Sequence, residues 1–251
     1  ATIDLDSRQK TFTHYIENRR AWAKRARIEL ELPTHYCVER AETSSIKANE
    51  ATEVANFSAA VSAIERTHDF VVVDTPGNDT FLMRLAHSMA DTLVTPINDS
   101  FLDFDVLATL DPINFAVTGE SHYAKMVREA RRQRRLFDGR LTDWIVVRNR
   151  LSELGSRNKR LVGEGLTELA KRMGFRWLEG FGERVVYREF FPRGLTALDD
   201  LDKVTLGMRP SKSHVTARKE VTALLNALHL PLSKNGKRHA AARAEWYSVM
   251  A

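Results

Sequence analysis

The chain has 251 residues, 43% of them hydrophobic, which is enough to bury one full apolar core. Its single cysteine, Cys37, excludes an intrachain disulfide and a cluster built from paired cysteines, and it fits a reducing, cytoplasmic compartment. A formal net charge of +5 permits binding to nucleic acid or to an anionic surface, and no apolar run is long enough to span a bilayer.

The sequence opens Ala1-Thr2-Ile3-Asp4-Leu5-Asp6 and reads as a strand already under way. Thr11 to Arg27 predicts a helix, with Phe12, Tyr15, Ile16 and Trp22 near helical spacing, and Pro33 closes that region. Thr52 to Arg66 predicts a second helix that places Val54, Phe57, Val61 and Ile64 on one face. Val71, Val72 and Val73 form a β-branched run suited to a parallel strand covered on both faces. Leu82, Leu85 and Met89 mark a helix, Thr92 to Pro96 a buried strand, and Tyr123 to Phe137 a strongly basic helix. Trp144 to Val147 reads as a strand and Arg157 to Met173 as a helix. Pro210 stands at the start of a last helix, where proline is tolerated, with Val215, Val221, Leu224, Leu225 and Leu228 as its apolar face. This alternation implies an α/β fold: a mostly parallel sheet with helices on both faces. One domain is expected over 1–230, followed by a basic, flexible tail over 231–251.

Residues Asp69 to Gly77, DFVVVDTPG, carry the most chemistry. Asp74 falls at a strand end, where an open α/β sheet presents its ligands, and Thr75, Pro76 and Gly77 then turn the chain. A Walker B carboxylate reaches the magnesium of a bound nucleotide in this way. An ordinary strand-to-turn junction gives the same letters. Asp4 and Asp6 lie two residues apart at another strand end, so a period of two points both carboxylates the same way. Acidic residues also end strands and cap the following helix.

No glycine-rich loop ending in Gly-Lys-Ser/Thr occurs, so nothing in the sequence wraps a phosphate. The start without methionine inside a strand predicts that a preceding strand, P-loop and helix are missing, roughly 30 residues. A domain that naturally begins at Ala1 is the alternative.

IDLDSRQ, ENRRAW, VVVDTPGND, TPINDSFLDFD, VVRNRL, KRMGFR and ERVVYREFFPRGLT together resemble the MinD/ParA group of deviant Walker ATPases, in particular its division-plane-positioning branch. The resemblance runs from about Ile3 to about Leu230; ENRRAW, NDSFLDFD and YREFFPRGLT are its narrowest motifs. It implies a P-loop NTPase fold that hydrolyses ATP with Mg²⁺. Asp6 would position the attacking water, Asp4 would support the magnesium shell indirectly, and Asp74 would be the Walker B carboxylate. Gly77 would be the switch glycine, and Asn149 would read the adenine edge, as an amide with donor and acceptor can. A cap or turn role accounts for Asn149 equally well. Asn98, Asp99 and Asp103 match a loop near the nucleotide, with no assigned role. The missing P-loop leaves these implications attached to the intact parent rather than to the isolated chain.

The resemblance also implies an ATP-dependent homodimer that binds chromosomal DNA without sequence preference through Arg157, Lys159, Arg160 and Arg184. Dimerisation doubles the phosphate contacts, which makes such binding nucleotide-dependent. The implied protein partners are ParB and the tubulin-like GTPase FtsZ, and the implied location is the nucleoid. Lys125, Arg128, Arg131, Arg132, Arg134 and Arg135 crowd one helix, and a solvated face is the default for such a run. Two alternatives stay open. One is a ParA-like partition ATPase. The other is a MinD-like membrane-cycling regulator, which needs an amphipathic C-terminal helix that Arg238 to Ala251 supplies poorly.

Overall fold

The computed structural model describes residues 1–98, 100–111, 117–151 and 157–230. The elements follow in chain order as β1 (Thr2–Asp4), α1 (Thr11–Ala26), β2 (His35–Cys37), α2 (Ile46–Ile64), β3 (Val72–Asp74), α3 (Phe81–Met89) and β4 (Thr92–Asn98). Then come α4 (Phe101–Phe104), β5 (Ala108–Leu110), β6 (Val117–Glu120), α5 (His122–Asp138), β7 (Asp143–Asn149), α6 (Arg157–Met173) and β8 (Arg176–Leu178). The described chain closes with α7 (Val185–Phe190), a 3-10 turn at Phe191–Arg193, α8 (Lys203–Leu206) and α9 (Lys212–Ala227). The α/β class read from the alternation is what is found. The tail after Pro231 lies outside the described residues.

The parallel strands form two half-sheets, ordered β2-β1-β3 and β4-β7-β8, and β5 and β6 pair separately as an antiparallel ribbon. Helix α3 spans the halves on one face. Its Leu82 and Ala86 pack into the core under α2 with Ile3, Phe57 and Ile64, while its Met83 packs with Leu93, Val127 and Trp144. His122 at the start of α5 meets Asp79 just before α3, at 2.8 Å, so both helices begin at the same end of the molecule. The carboxyl ends of β3 and β7 therefore face one rim.

Among the described residues no strand joins β3 to β4, and the sheet is open there. Val72 N–H donates to Ala1 O and Asp74 O accepts from Leu5 N–H, so the peptide groups of Val71 and Val73 point away from β1. Asp143 N–H donates to Asp91 O, and by the same alternation Thr92 and Val94 point away from β7. Pro96 lies in that outward series and has no N–H to offer. The face opposite α3 is bare at the same place. Val72 is 56% exposed beside buried Thr2, and Val94 is 39% exposed beside Ile145 at 0%.

The C-terminal elements form a third core of Val186, Phe190, Leu195, Leu206 and Ala217, with Trp22 of α1 packed against it. Arg19 of α1 grips Asp199 through two bonds of 2.7 and 2.8 Å and also donates to Gly194 O at 2.9 Å and Glu31 O at 2.7 Å. Gly194 has φ 58°, and a Cβ there would sit 2.3 Å from the Arg19 backbone nitrogen. Only glycine permits that approach. Tyr15 donates its hydroxyl to Leu195 O, and burial together with the Asp199 charge pushes its pKa up to about 12. The YREFFPRGLT segment is thus the clasp that fixes α1.

Candidate functional site

Three carboxylates gather where β1 and β3 end. β1 stops at Asp4, and its register sets Asp4 directly beside Asp74. The chain then turns: Lys10 N–H donates to Asp6 O at 2.8 Å, and Asp6 Oδ1 accepts from Gln9 N–H at 3.2 Å. Asp6 is consequently outside the strand, and the period-two argument for a matched pair ends with it. Asp4 is fully buried and turned inward. Its Oδ1 accepts from Asp6 N–H at 2.9 Å, and its Oδ2 accepts from Thr13 N–H at 2.9 Å and Thr13 Oγ1 at 2.7 Å. The oxygens of Asp4 are engaged by the chain itself, so any support it gives a magnesium shell is indirect, through the Asp6 turn.

Asp74 stands exposed at its strand end. Desolvation by its neighbours raises its pKa, and the charges of Asp4 and Asp6 raise it further, against a Thr75 N–H that lowers it. A raised carboxylate destabilises the folded state above its ordinary value of 3.8, and that penalty disappears below it. In the full-length protein, Asp74→Asn is therefore expected to raise the thermal midpoint at pH 7. The gain should vanish as the pH falls toward 3. A gain independent of pH would assign it to something other than charge.

Asp4, Asp6 and Asp74 concentrate negative charge at this rim. Mg²⁺ fits the donor set as it binds elsewhere, by one or two carboxylates completed by phosphate oxygens. Among the described residues no three His, Cys, Asp or Glu side chains form a cage for a metal alone. Gly77 has no heavy atom within 4 Å of where a Cβ would be, so there is open space beside its backbone. A cavity of 330 Å³ lies on the α2–α3 side of Asp6, lined also by Arg8, Arg40, Glu50, Pro76 and Phe81.

Asn149 ends β7 opposite Asn98 of β4, on the far side of the open position. Its side-chain amide has no hydrogen bond among the described residues. Asn98 N–H donates to Asp103 Oδ2 at 2.9 Å, which makes Asp103 a loop cap; Asp99 lies outside the described residues. One group the motifs did not mark also belongs here. Thr13 and His35 surround Asp4, and only the residue types themselves could have signalled them. Arg148, 1% exposed in β7, donates to Glu179 at 3.2 Å and lies 6.0 Å from the Trp177 ring centre.

The basic candidates divide. Arg160 is 73% exposed and lies 3.5 Å from Glu164 on the same helix, while the side chains of Arg157 and Lys159 are outside the described residues. Arg184, the other DNA-contact candidate, is engaged within the fold. Its side chain is 17% exposed and pairs with Glu220 at 3.0 Å, and Tyr187 donates to the same carboxylate at 2.7 Å. On α5 the solvated-face reading fails for two arginines. Arg134 is buried and bonds Asp91 and the Met89 carbonyl, and Arg131 donates to Met173 O at 3.1 Å.

No helix among the described residues is long and apolar enough to cross a membrane. No curated protein matches the chain. A family model described as ATPase MipZ matches residues 1–232, nearly its whole length and every element described above. The chain belongs to the MipZ ATPase family.

Proposed function

We propose that the intact protein is an ATP-driven dimerisation switch that binds chromosomal DNA without sequence preference and places the division site by restraining FtsZ assembly. The observation that carries this reading is the Asp4–Asp6–Asp74 cluster at a strand-end rim, next to a vacant strand position between β3 and β4. A strand and phosphate-cradling loop in that position would bring the nucleotide phosphates against the cluster. Bound Mg²⁺ and ATP supply the transferable phosphoryl group and offset the carboxylate charge. Asp74 would hold the metal, Asp6 would orient the attacking water, and Asn149, across the vacancy, would meet the adenine. Gly77 would let the backbone approach the terminal phosphate. Arg160 and Arg157 would face DNA when two subunits join, with Arg184 shaping that surface through Glu220. ParB would supply the localising contact.

The experiment uses full-length protein carrying its nucleotide-binding loop. Asp6→Ala is expected to abolish ATP turnover while keeping ATP-dependent dimers and DNA retention, because the Asp6 side chain makes one exposed bond, to Gln9. Turnover at the parental rate would remove Asp6 from the chemistry. In the same preparation, ATP-dependent shortening of FtsZ polymers separates this reading from a ParA-like partition ATPase. Sedimentation with liposomes would instead indicate a MinD-like regulator.

A further inference from the structure

The start of α1 is capped in an unusual way. Its N-cap residue, Lys10, is left-handed at φ 49° and makes no side-chain cap bond. The cap comes instead from Asp4, at the end of the preceding strand, which accepts from the backbone of Thr13 in the first turn. A carboxylate there is favoured both by the free N–H groups and by the helix dipole. Its other oxygen holds the Asp6 amide at 2.9 Å. One buried carboxylate therefore ties the helix start to the turn that presents Asp6.

A chain of side chains holds that carboxylate in turn. Thr13 Oγ1 donates to Asp4 Oδ2 at 2.7 Å, so its lone pairs face His35 Nε2 at 3.0 Å, and an Nε2–H completes the bond. His35 Nδ1 lies 2.8 Å from Thr2 Oγ1, back on the strand that ends in Asp4. Phe12 packs edge-on against the imidazole at 5.7 Å. The ring thus closes over β1, α1 and β2 and returns to its own strand. A bond to an ionised acceptor is among the stronger ones a protein makes, and burial strengthens it.

We propose that Thr13 and His35 are positioning residues for ATP hydrolysis: they fix Asp4, which through the Asp6 amide fixes the turn that aims the Asp6 carboxylate. This rests on the ATPase reading given above. Neither residue touches the rim itself.

Two measurements test it. The first needs no nucleotide: amide hydrogen exchange at Asp6, followed by ¹⁵N NMR in the nucleotide-free full-length protein. Thr13→Val keeps the shape and deletes the donor. It is expected to speed Asp6 exchange about ten-fold, the factor for losing roughly one such bond, and Thr13→Ser is expected to restore protection. His35→Leu should give a smaller loss and His35→Gln a recovery, which keeps the question answerable if Thr13→Val does not fold. The second is turnover by the full-length protein. Thr13→Val should lower kcat about ten-fold with KM unchanged, and Thr13→Ser should recover it, a pattern that general destabilisation does not produce. Unaltered Asp6 exchange in both donor-deleted variants would overturn the network. Altered exchange with parental kcat would overturn its role in hydrolysis. Absence of turnover in the unmodified full-length protein would overturn the ATPase reading, and the positioning role with it, while the exchange result still reports on the bond.

Discussion

Asp199→Ala is expected to cost about 3–5 kcal/mol, the range for breaking one side of a buried ion pair. Arg19 and Asp199 are 9% and 12% exposed at their side chains, and the pair is bidentate. Asp199 also accepts from Thr196 N–H at 2.6 Å, so alanine orphans a backbone donor as well as a guanidinium. The guanidinium would keep its bonds to Gly194 O and Glu31 O but hold an uncompensated charge. Against a net stability of about 5–15 kcal/mol for a domain, this removes a large share. The measurement is urea unfolding of wild type and variant. Joint replacement by Arg19→Met and Asp199→Leu should recover part of the loss, because no charge is then left unpaired.

The pair also has a pH signature. Burial alone would raise the Asp199 pKa, but the Arg19 bonds and the Thr196 donors outweigh it and hold the carboxyl below 3.8. A depressed carboxylate contributes stability that is complete above its unfolded value and is lost as the pH falls through the folded one. The gap between wild type and Asp199→Ala should accordingly be full at pH 7 and narrow below 3.8. A gap that widened in acid would contradict the assignment.

Long amphipathic elements and strands marked by β-branched or acidic letters were legible in the sequence, and short unmarked ones were not. Arg157 to Met173 is a helix with those bounds, since its period runs over several turns. β2 and β8 have three residues each, too few for any period, and take their form from neighbours already in place. α2 begins at Ile46, earlier than the apolar spacing suggests, because Ser45 caps it by accepting from Ala48 N–H. On α9 the apolar letters mislead: Val215 is 54% exposed and Leu225 40%, while His214 and Ala217 are buried. The helix packs closely there, so small Ala217 faces inward and Val215 does not. The site residues split on the same principle. Asp74 at a strand end was readable from DTPG. The inward turn of Asp4 was not, because its partner Thr13 belongs to another element. Arg134 was read as one of a solvated run because the carbonyl of Met89 leaves no mark in a sequence.

The open position between β3 and β4 yields the other large expected effect. The isolated chain is expected to self-associate or to melt without a sharp transition. Val71 and Val73 on one side, and Thr92 and Val94 on the other, direct backbone groups toward that position with no strand pairing them among the described residues. Unpaired parallel edges accept strands from other molecules. Each edge also carries an exposed β-branched side chain on a face that a parallel sheet normally covers, Val72 at 56% and Val94 at 39%. Among the described residues, α3 is the one helix packing into both half-sheet cores, through Leu82 and Ala86 on one side and Met83 on the other. The halves are therefore joined by side-chain packing where a complete sheet would add a ladder of hydrogen bonds. Val72→Lys together with Val94→Lys should suppress association, since a charged edge repels a second edge and resists burial. Light scattering during a thermal ramp distinguishes the cases. A monomer with one cooperative transition, unchanged by the two lysines, would show that the edges are protected in solution and that the gap is not a weak point of the fold.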